Sequence, residues 1–207
     1  MNNDTKFELA EKYLINRLEK ELALNLFYHG VHHTRDDVLP AIIRLAELEG
    51  IKGTQLLELK TAALYHDAGY MYLYSKNEII GSLIAGNSLT QFGYIQNEIN
   101  SIWKIIMSTE MKNIDDKLTQ VPNQNNILEK IMCDADLNYL GREDFFDVSE
   151  TLRLELIEYG IRFTFEEWNE NQKVFLKFHK YFTQSAKDLR ETQKWKNLET
   201  LKRQYFV

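Results

Sequence analysis

Two histidines and three aspartates occupy positions in the sequence that could form a metal site. His66 and Asp67 are adjacent at the end of an apolar stretch, His33 lies upstream, and Asp134 and Asp136 form a second acidic site downstream. A buried imidazole or carboxylate is costly unless something pairs with it. Imidazole nitrogens and carboxylate oxygens together suit a divalent cation. The sequence therefore predicts a metal centre built from the early His, the His-Asp pair and one later Asp.

The choice between the two later aspartates follows from helical geometry. Residues two positions apart on a helix point about 200° apart, so only one of the two carboxylates can face the centre. Asp136 has apolar residues four positions before and after it, whereas Asp134 has Lys130 and Asn138 there. Polar neighbours at this spacing are typical of a solvated or salt-bridged carboxylate. We therefore predict that Asp136 is the buried ligand and that Asp134 is solvated or salt-bridged.

The elements that must position these residues are predicted to be helices. Apolar residues recur at helical spacing almost throughout, without a convincing run of the alternation typical of strands. Pro40 indicates a kink in the second helix or a helix that begins near it. The predicted helices cover the opening segment to about residue 26, 34–49, the run that ends at His66-Asp67, 78–92, the isoleucine-spaced stretch from Ile95 to Ile106, 127–140 and the segments after 160. Residues 112–126 are predicted as a polar loop. The predicted fold class is all-α, which is compatible with short 3₁₀ turns or a small hairpin somewhere in the domain.

The bulk composition narrows the class of protein. Hydrophobic residues make up 44% and charged residues 27% of the chain, which is typical of an ordered, helix-rich protein. The net charge of −6 argues against a broad basic surface for nucleic acid. The sequence contains no apolar run of about eighteen residues, so no membrane span is predicted. Its N-terminal segment lacks the features of a signal peptide. The single cysteine, Cys133, is predicted to be a small core residue. We expect a cytoplasmic protein that binds neither nucleic acid nor membrane.

Three motifs resemble those of the HD-domain superfamily of metal-dependent phosphohydrolases. They are YHGVHHT at 28–34, AALYHDAGY at 62–70 and DADLNYLG at 134–141, and the resemblance covers roughly residues 20–160. It implies a single all-helical domain, 1–207, whose metal-site core is followed by extra C-terminal helices over about 161–207. We expect these helices to pack on the main bundle and to offer a candidate homodimer surface. The resemblance also implies that His33, His66, Asp67 and Asp136 hold one divalent metal ion.

The chain departs from the members of this family that bind two metals. Those members carry extra histidines on the helices after the His-Asp pair, where this sequence has Asn77 and Thr109. An amide and a hydroxyl are poor metal ligands, so a second metal is not expected, and neither is an iron oxygenase. Two imidazoles and two carboxylates suit Mn, Fe, Co, Ni, Zn or Mg, and the sequence does not select among these ions.

The implied activity is hydrolysis of a phosphate ester or anhydride in a nucleotide or other small phosphorylated metabolite, through a metal-activated water. Asp67 could accept the proton of that water, and Glu78 is the second candidate base, although a glutamate at a helix start is also favourable for its charge alone. His29, four positions before His33, could share its helical face and donate a proton to the leaving group. Its alternative role is to support the centre or to lie on the surface.

Three cations are candidates for binding the phosphate: Arg35, Lys112 and Arg142. Each on its own is also compatible with an ordinary solvated charge.

A rival hypothesis is a non-catalytic module of the same fold that binds a metal or nucleotide for regulation. An open metal position favours the enzyme, because a binding module has no need of one.

Overall fold

The structure, a computed structural model, describes residues 1–203, which form nine α-helices and one two-stranded hairpin. The all-α fold class is therefore confirmed, whereas residues 204–207, the end of the predicted C-terminal extension, lie outside the described residues. None of the helices in residues 1–203 combines the length and apolar character that a membrane crossing requires. The helices are α1 (Asn3–Glu21), α2 (Leu39–Leu48), α3 (Gly53–Tyr65), α4 (Asn77–Ser88), α5 (Gln96–Met107), α6 (Ile127–Asp136), α7 (Phe145–Glu158), α8 (Phe165–Phe178) and α9 (Gln184–Arg203).

Helix α3 is the central element of the main core. Its last five residues, 61–65, are all buried, so this part of the helix is covered on every side by other elements. Helices α1, α2, α5 and α6 pack around it. The buried residues of α3 are Leu57, Leu59, Thr61, Ala62, Ala63, Leu64 and Tyr65. Because α3 ends at Tyr65, the chain delivers His66 and Asp67 directly at the edge of this core.

The segment between α1 and α2 is more irregular than the apolar spacing predicts. Helix α1 ends at Glu21, and most of the following nine residues are turns and bends. A short π-helical turn, His33–Val38, then leads into α2, which begins at Leu39 with Pro40 in its first turn. The predicted helix start near Pro40 is confirmed, since proline lacks only an N–H that a first turn leaves unpaired anyway.

Two glycines let α4 approach the end of α3 backbone to backbone. A Cβ atom on Gly69 would lie 2.0 Å from the carbonyl oxygen of Asn77, and one on Gly81 would lie 2.4 Å from that of Tyr65. Side-chain carbon atoms do not approach other atoms this closely, so both positions require glycine. The close approach brings the start of α4 against the segment that carries His66 and Asp67.

Helix α5 and the hairpin correct two predictions. The spaced isoleucines are buried on α5 except Ile95, which is 60% exposed because it precedes the helix as its N-terminal cap residue. Residues 112–126 contain strands β1 (Lys112–Ile114) and β2 (Lys117–Thr119), which pair antiparallel. The turn residues Asp115 and Asp116 have φ of 51° and 60°, as the favoured two-residue hairpin turn requires.

The last helices form a second, smaller core. Helix α8 begins with the predicted capping box of Thr164 and Glu167, and the Phe163 and Trp168 rings lie 5.6 Å apart between centroids. Helix α9 contacts α2, α6 and α8. The apolar residues of this core are Tyr28, Leu137, Tyr139, Leu140, Phe145, Leu176, Leu198 and Leu201. The 127–140 helix is shorter than predicted: α6 ends at Asp136, which places this carboxylate at a helix terminus.

Candidate metal centre

Four predicted ligands converge in space from three separate segments. The Nε2 atom of His33 lies 3.2 Å from Oδ1 of Asp136 and 3.5 Å from Oδ2 of Asp67. The Nε2 atom of His66 lies 3.0 Å from Oδ2 of Asp67 and 3.5 Å from Oδ1 of Asp136. Ligands placed at right angles around one ion with bonds of about 2.1 Å are about 3 Å apart. His33, His66 and Asp136 form a group that could hold a metal ion.

The tautomer of His66 suits a metal ligand. Its Nδ1 atom lies 2.8 Å from the carbonyl oxygen of Ala63, so Nδ1 carries the hydrogen and donates it to that oxygen. This leaves a lone pair on Nε2, which is the arrangement that metal-bound histidines use. Nε2 of His66 and Oδ2 of Asp67 are both buried without a hydrogen-bond partner, although they are 3.0 Å apart. Buried polar atoms without partners are destabilising, and a cation between them would remove that cost.

The charges of the centre are strongly coupled. Burial lowers the pKa of His33, but the hydrogen bond to Asp136 and the nearby carboxylates of Asp37 and Asp67 outweigh it and raise that pKa to about 9. Burial also opposes ionisation of Asp136, yet the two histidines hold its pKa well below the usual range. The carboxylates are therefore ionised and compensated by positive charge, and a divalent cation bound here would supply that charge in place of the imidazole protons.

Two amide side chains orient the carboxylates. Asn77 at the start of α4 donates to Oδ1 of Asp67 at 3.0 Å, and Gln120 after the hairpin donates to Oδ2 of Asp136 at 2.6 Å. Gln120 also donates to the carbonyl of Thr109 at 3.0 Å. The other oxygen of each carboxylate therefore points to the histidines. Sequence reasoning considered Asn77 and Thr109 only as missing ligands, and it did not find Gln120, which no motif marks.

Asp134 is not solvated, which corrects the reasoning used to exclude it. Its side chain is buried and accepts hydrogen bonds from the backbone N–H of Phe182 and from the N–H and hydroxyl of Thr183, at 2.7 to 2.8 Å. Helical neighbours could not show this, because the partners come from the distant segment before α9. Asp136, whose side chain is 15% exposed, is the aspartate that faces the histidines.

His29 lies beside the centre, but in the irregular segment and not on a helix shared with His33. The predicted reason for its proximity is therefore wrong. Its Nδ1 atom is 2.5 Å from Oε1 of Glu155, and its Nε2 atom is 3.2 Å from the hydroxyl of Tyr70. Glu155 is fully buried on α7 and also accepts hydrogen bonds from two backbone N–H groups and from Tyr74. Nothing in the spacing of the sequence links Glu155 to His29.

Glu78 lies in the first turn of α4, next to Asn77. Burial raises the pKa of its carboxyl, and the negative charges of Asp67, Asp136 and Glu110 raise it further. The carboxyl therefore lies within the electrostatic field of both ligand aspartates. This placement is compatible with a role at the site, and the favourable charge at a helix start remains its alternative explanation.

The three predicted phosphate-binding cations each pair with carboxylates, and no two of them pair with the same one. Arg35 is exposed and forms ion pairs with Asp36 at 2.8 Å and Glu19 at 3.4 Å. Lys112 lies on β1, 3.6 Å from Glu110. Arg142 is closest to the centre, because it pairs with Asp37, whose carboxylate lies 3.9 Å from Nδ1 of His33, as well as with Asp144. Their binding of phosphate stays a prediction.

A cavity of about 560 Å³ opens beside the centre, and Asp136 and His29 form part of its wall. This size lies within the range of small-molecule sites. A molecule bound in the cavity would touch one predicted metal ligand and the predicted proton donor at the same time.

Comparison with known proteins found no match among protein-family models, curated proteins or solved structures. The centre is therefore described from the geometry of this chain alone.

Proposed function

We propose that this protein is a metal-dependent phosphohydrolase of the HD-domain type, acting on a phosphate ester or anhydride of a nucleotide or other small phosphorylated metabolite. The observation that carries the proposal is the convergence of two Nε2 atoms on two carboxylate oxygens, with each nitrogen 3.0 to 3.5 Å from both oxygens. A second supporting observation is that Nε2 of His66 and Oδ2 of Asp67 are buried without partners.

His33, His66, Asp67 and Asp136 would hold one divalent ion, with Mn, Fe, Co, Ni, Zn and Mg all compatible with these donors. When bound, such an ion lowers the pKa of a water molecule and polarises a phosphoryl oxygen. Asn77 and Gln120 keep the two carboxylates in the ligand orientation, since each amide occupies the carboxylate oxygen that faces away from the histidines.

Glu78 is the better of the two candidate bases. Asp67 already uses Oδ1 for Asn77, and its Oδ2 faces the histidines. The pKa of Glu78 is raised by burial, which brings it closer to neutral pH and makes its carboxylate a more effective proton acceptor. The base at this site would therefore be a carboxylate that does not itself bind the ion.

His29 is the candidate proton donor to the leaving group. Glu155 accepts the hydrogen on Nδ1, which fixes the ring, and Nε2 lies 3.2 Å from the hydroxyl of Tyr70, another residue that lines the cavity. Glu155 is thus a positioning residue, whereas His29 would touch the substrate. Tyr70 stacks on the His29 ring at 4.2 Å between centroids and further restricts its orientation.

The test compares metal content and hydrolysis in the wild type, Asp136→Asn and Asp36→Asn. Asp36 is an exposed aspartate on the π-helical turn and serves as the matched control. We expect one ion per chain and hydrolysis of at least one phosphomonoester, diester or nucleotide in the wild type and the control, and loss of both in Asp136→Asn. A fully loaded wild type that cleaves no member of the panel would contradict the enzyme and favour the binding module.

A further inference from the structure

The wall of the cavity beside the centre is apolar over most of its area. It extends from Asp136 and His29 outward between the hairpin, α7 and α8. The inner wall includes Leu156, Trp168 and Phe175. Most of the remaining lining is aromatic or aliphatic as well, and the polar side chains among it are Asn171, Gln172, Asp116, Lys117 and four tyrosines. A wall of this kind stabilises apolar ligand surface by removing it from water.

The charged groups in the cavity wall do not suit a polyphosphate. Among the described lining residues, the permanently cationic side chain is Lys117, whose Nζ atom lies 4.2 Å from the centroid of the Phe178 ring. Asp116 and Asp136 contribute negative charges to the same wall. A divalent ion at the centre would compensate Asp136 and accept one phosphate, but the other phosphates of a triphosphate would lie along a wall where Lys117 is offset by Asp116 and would lose their hydration without compensation.

The mouth of the cavity is also apolar. Leu118, Ile161, Val174 and Phe178 line the cavity while remaining 43% to 57% exposed. Val174 and Phe178 are one turn apart on α8, so they present one continuous apolar strip. A large exposed apolar area marks a binding site, and here it continues into a concave cavity that reaches the candidate centre.

We propose that the substrate carries a single phosphate ester on a large uncharged apolar group, which fills this cavity while the phosphate lies at the centre. This inference rests on the proposed function and specifies its substrate class. The reaction breaks the phosphorus–oxygen bond of the ester: the oxygen of water joins phosphorus, and the apolar alcohol leaves with a proton. The products are inorganic phosphate and that alcohol.

The test measures binding by calorimetry, with Mn²⁺ present, for alkylphosphonates from methyl to octyl, which are not hydrolysed. We expect affinity to rise about fourfold per methylene group until the cavity is filled, with a negative heat-capacity change. Octylphosphonate should bind more tightly than ATP. The variant Ile161→Asp should weaken octylphosphonate about tenfold and leave methylphosphonate unchanged. Ile43→Asp is the matched control, because Ile43 is 46% exposed and Ile161 45% exposed.

The outcomes separate this inference from the proposed function. A flat dependence on chain length, or tighter binding of ATP than of octylphosphonate, overturns the apolar substrate and leaves the mouth as a surface for a protein partner. A rising dependence supports the assignment of the cavity. Alkyl and aryl phosphates are then tested as substrates beside nucleotides. Preferred hydrolysis of the alkyl or aryl phosphates supports both the proposed function and the apolar substrate class, whereas preferred hydrolysis of nucleotides overturns the substrate class. If neither kind of phosphate is hydrolysed, the proposed function is overturned and the assignment of the cavity stands.

Discussion

Replacing Glu155 tests whether a buried carboxylate on α7 fixes the histidine beside the candidate centre. Its two oxygens accept four hydrogen bonds: from the N–H of Tyr28 at 2.8 Å, the N–H of His29 at 2.9 Å, Nδ1 of His29 at 2.5 Å and the hydroxyl of Tyr74 at 3.0 Å. Glu155→Ala leaves all four donors without this acceptor. At about 1 kcal/mol or more for each, the free energy of unfolding should fall by about 4 kcal/mol.

Glu155→Gln should behave differently from Glu155→Ala. The glutamine oxygen can keep both backbone N–H groups, and its amide can donate to Tyr74 and to Nδ1 of His29 if that ring changes tautomer. The main loss is then charge assistance, so the expected cost is about 1 to 2 kcal/mol. The altered tautomer and the missing negative charge should lower kcat by about 10- to 100-fold with the metal content unchanged.

The measurements are urea unfolding, metal analysis and kcat, with Glu158→Gln on the exposed face of α7 as control. The control should match the wild type in all three. If Glu155→Ala unfolds within about 1 kcal/mol of the wild type, the four hydrogen bonds do not stabilise this segment as argued. If Glu155→Gln keeps the full kcat, His29 has no role in proton transfer that depends on Glu155.

Three further predictions concern support of the centre, pH and packing. Gln120→Ala should weaken metal binding about 10- to 100-fold, measured by competition with a chelator, whereas Gln124→Ala, on an exposed residue of the same loop, should not. Burial lowers the pKa of His179 in the folded protein to about 3, whereas the pKa of a histidine in the unfolded chain is about 6.5. The stability that the neutral ring contributes is therefore fully present above pH 6.5 and is lost as the pH falls toward 3. Between pH 7 and pH 5 the wild type should therefore lose about 2 kcal/mol more in urea unfolding than His179→Phe, and equal losses would refute burial of the neutral ring. Gly81→Ala should destabilise by about 1 to 3 kcal/mol because its Cβ meets backbone at 2.4 Å, whereas Gly86→Ala, with open space around it, should be neutral or stabilising.

Local patterns in the sequence predicted the helices well, since an apolar stripe at helical spacing must be buried against other elements. The residue types predict a centre built from the His-Asp pair, an earlier His and a later Asp, and the resemblance of the three motifs assigns it to His33, His66, Asp67 and Asp136, which do converge. Ile95 shows where periodicity fails: it continues the spacing of α5, yet it precedes the helix and remains exposed.

The residues that sequence reasoning missed depend on contacts between distant segments. Asp134 can be buried because Thr183 donates two hydrogen bonds to its carboxylate. The residues on the helix of Asp134 give no sign that Thr183 is its partner. Glu155 reaches His29 only because the segment after α1 is irregular. Side-chain types along one helix describe its two faces, but they do not identify the element that covers each face.

The backbone contact between α3 and α4 has a consequence for evolution. Because a methyl group at Gly69 or Gly81 would collide with a carbonyl oxygen, a descendant of this chain cannot change either residue without separating Asn77 from Asp67. We therefore expect distant homologues to share an invariant His-Asp-x-Gly with a second glycine twelve positions later, even where the cavity wall has diverged. This spaced pattern offers a query for recognising relatives whose overall similarity has been erased.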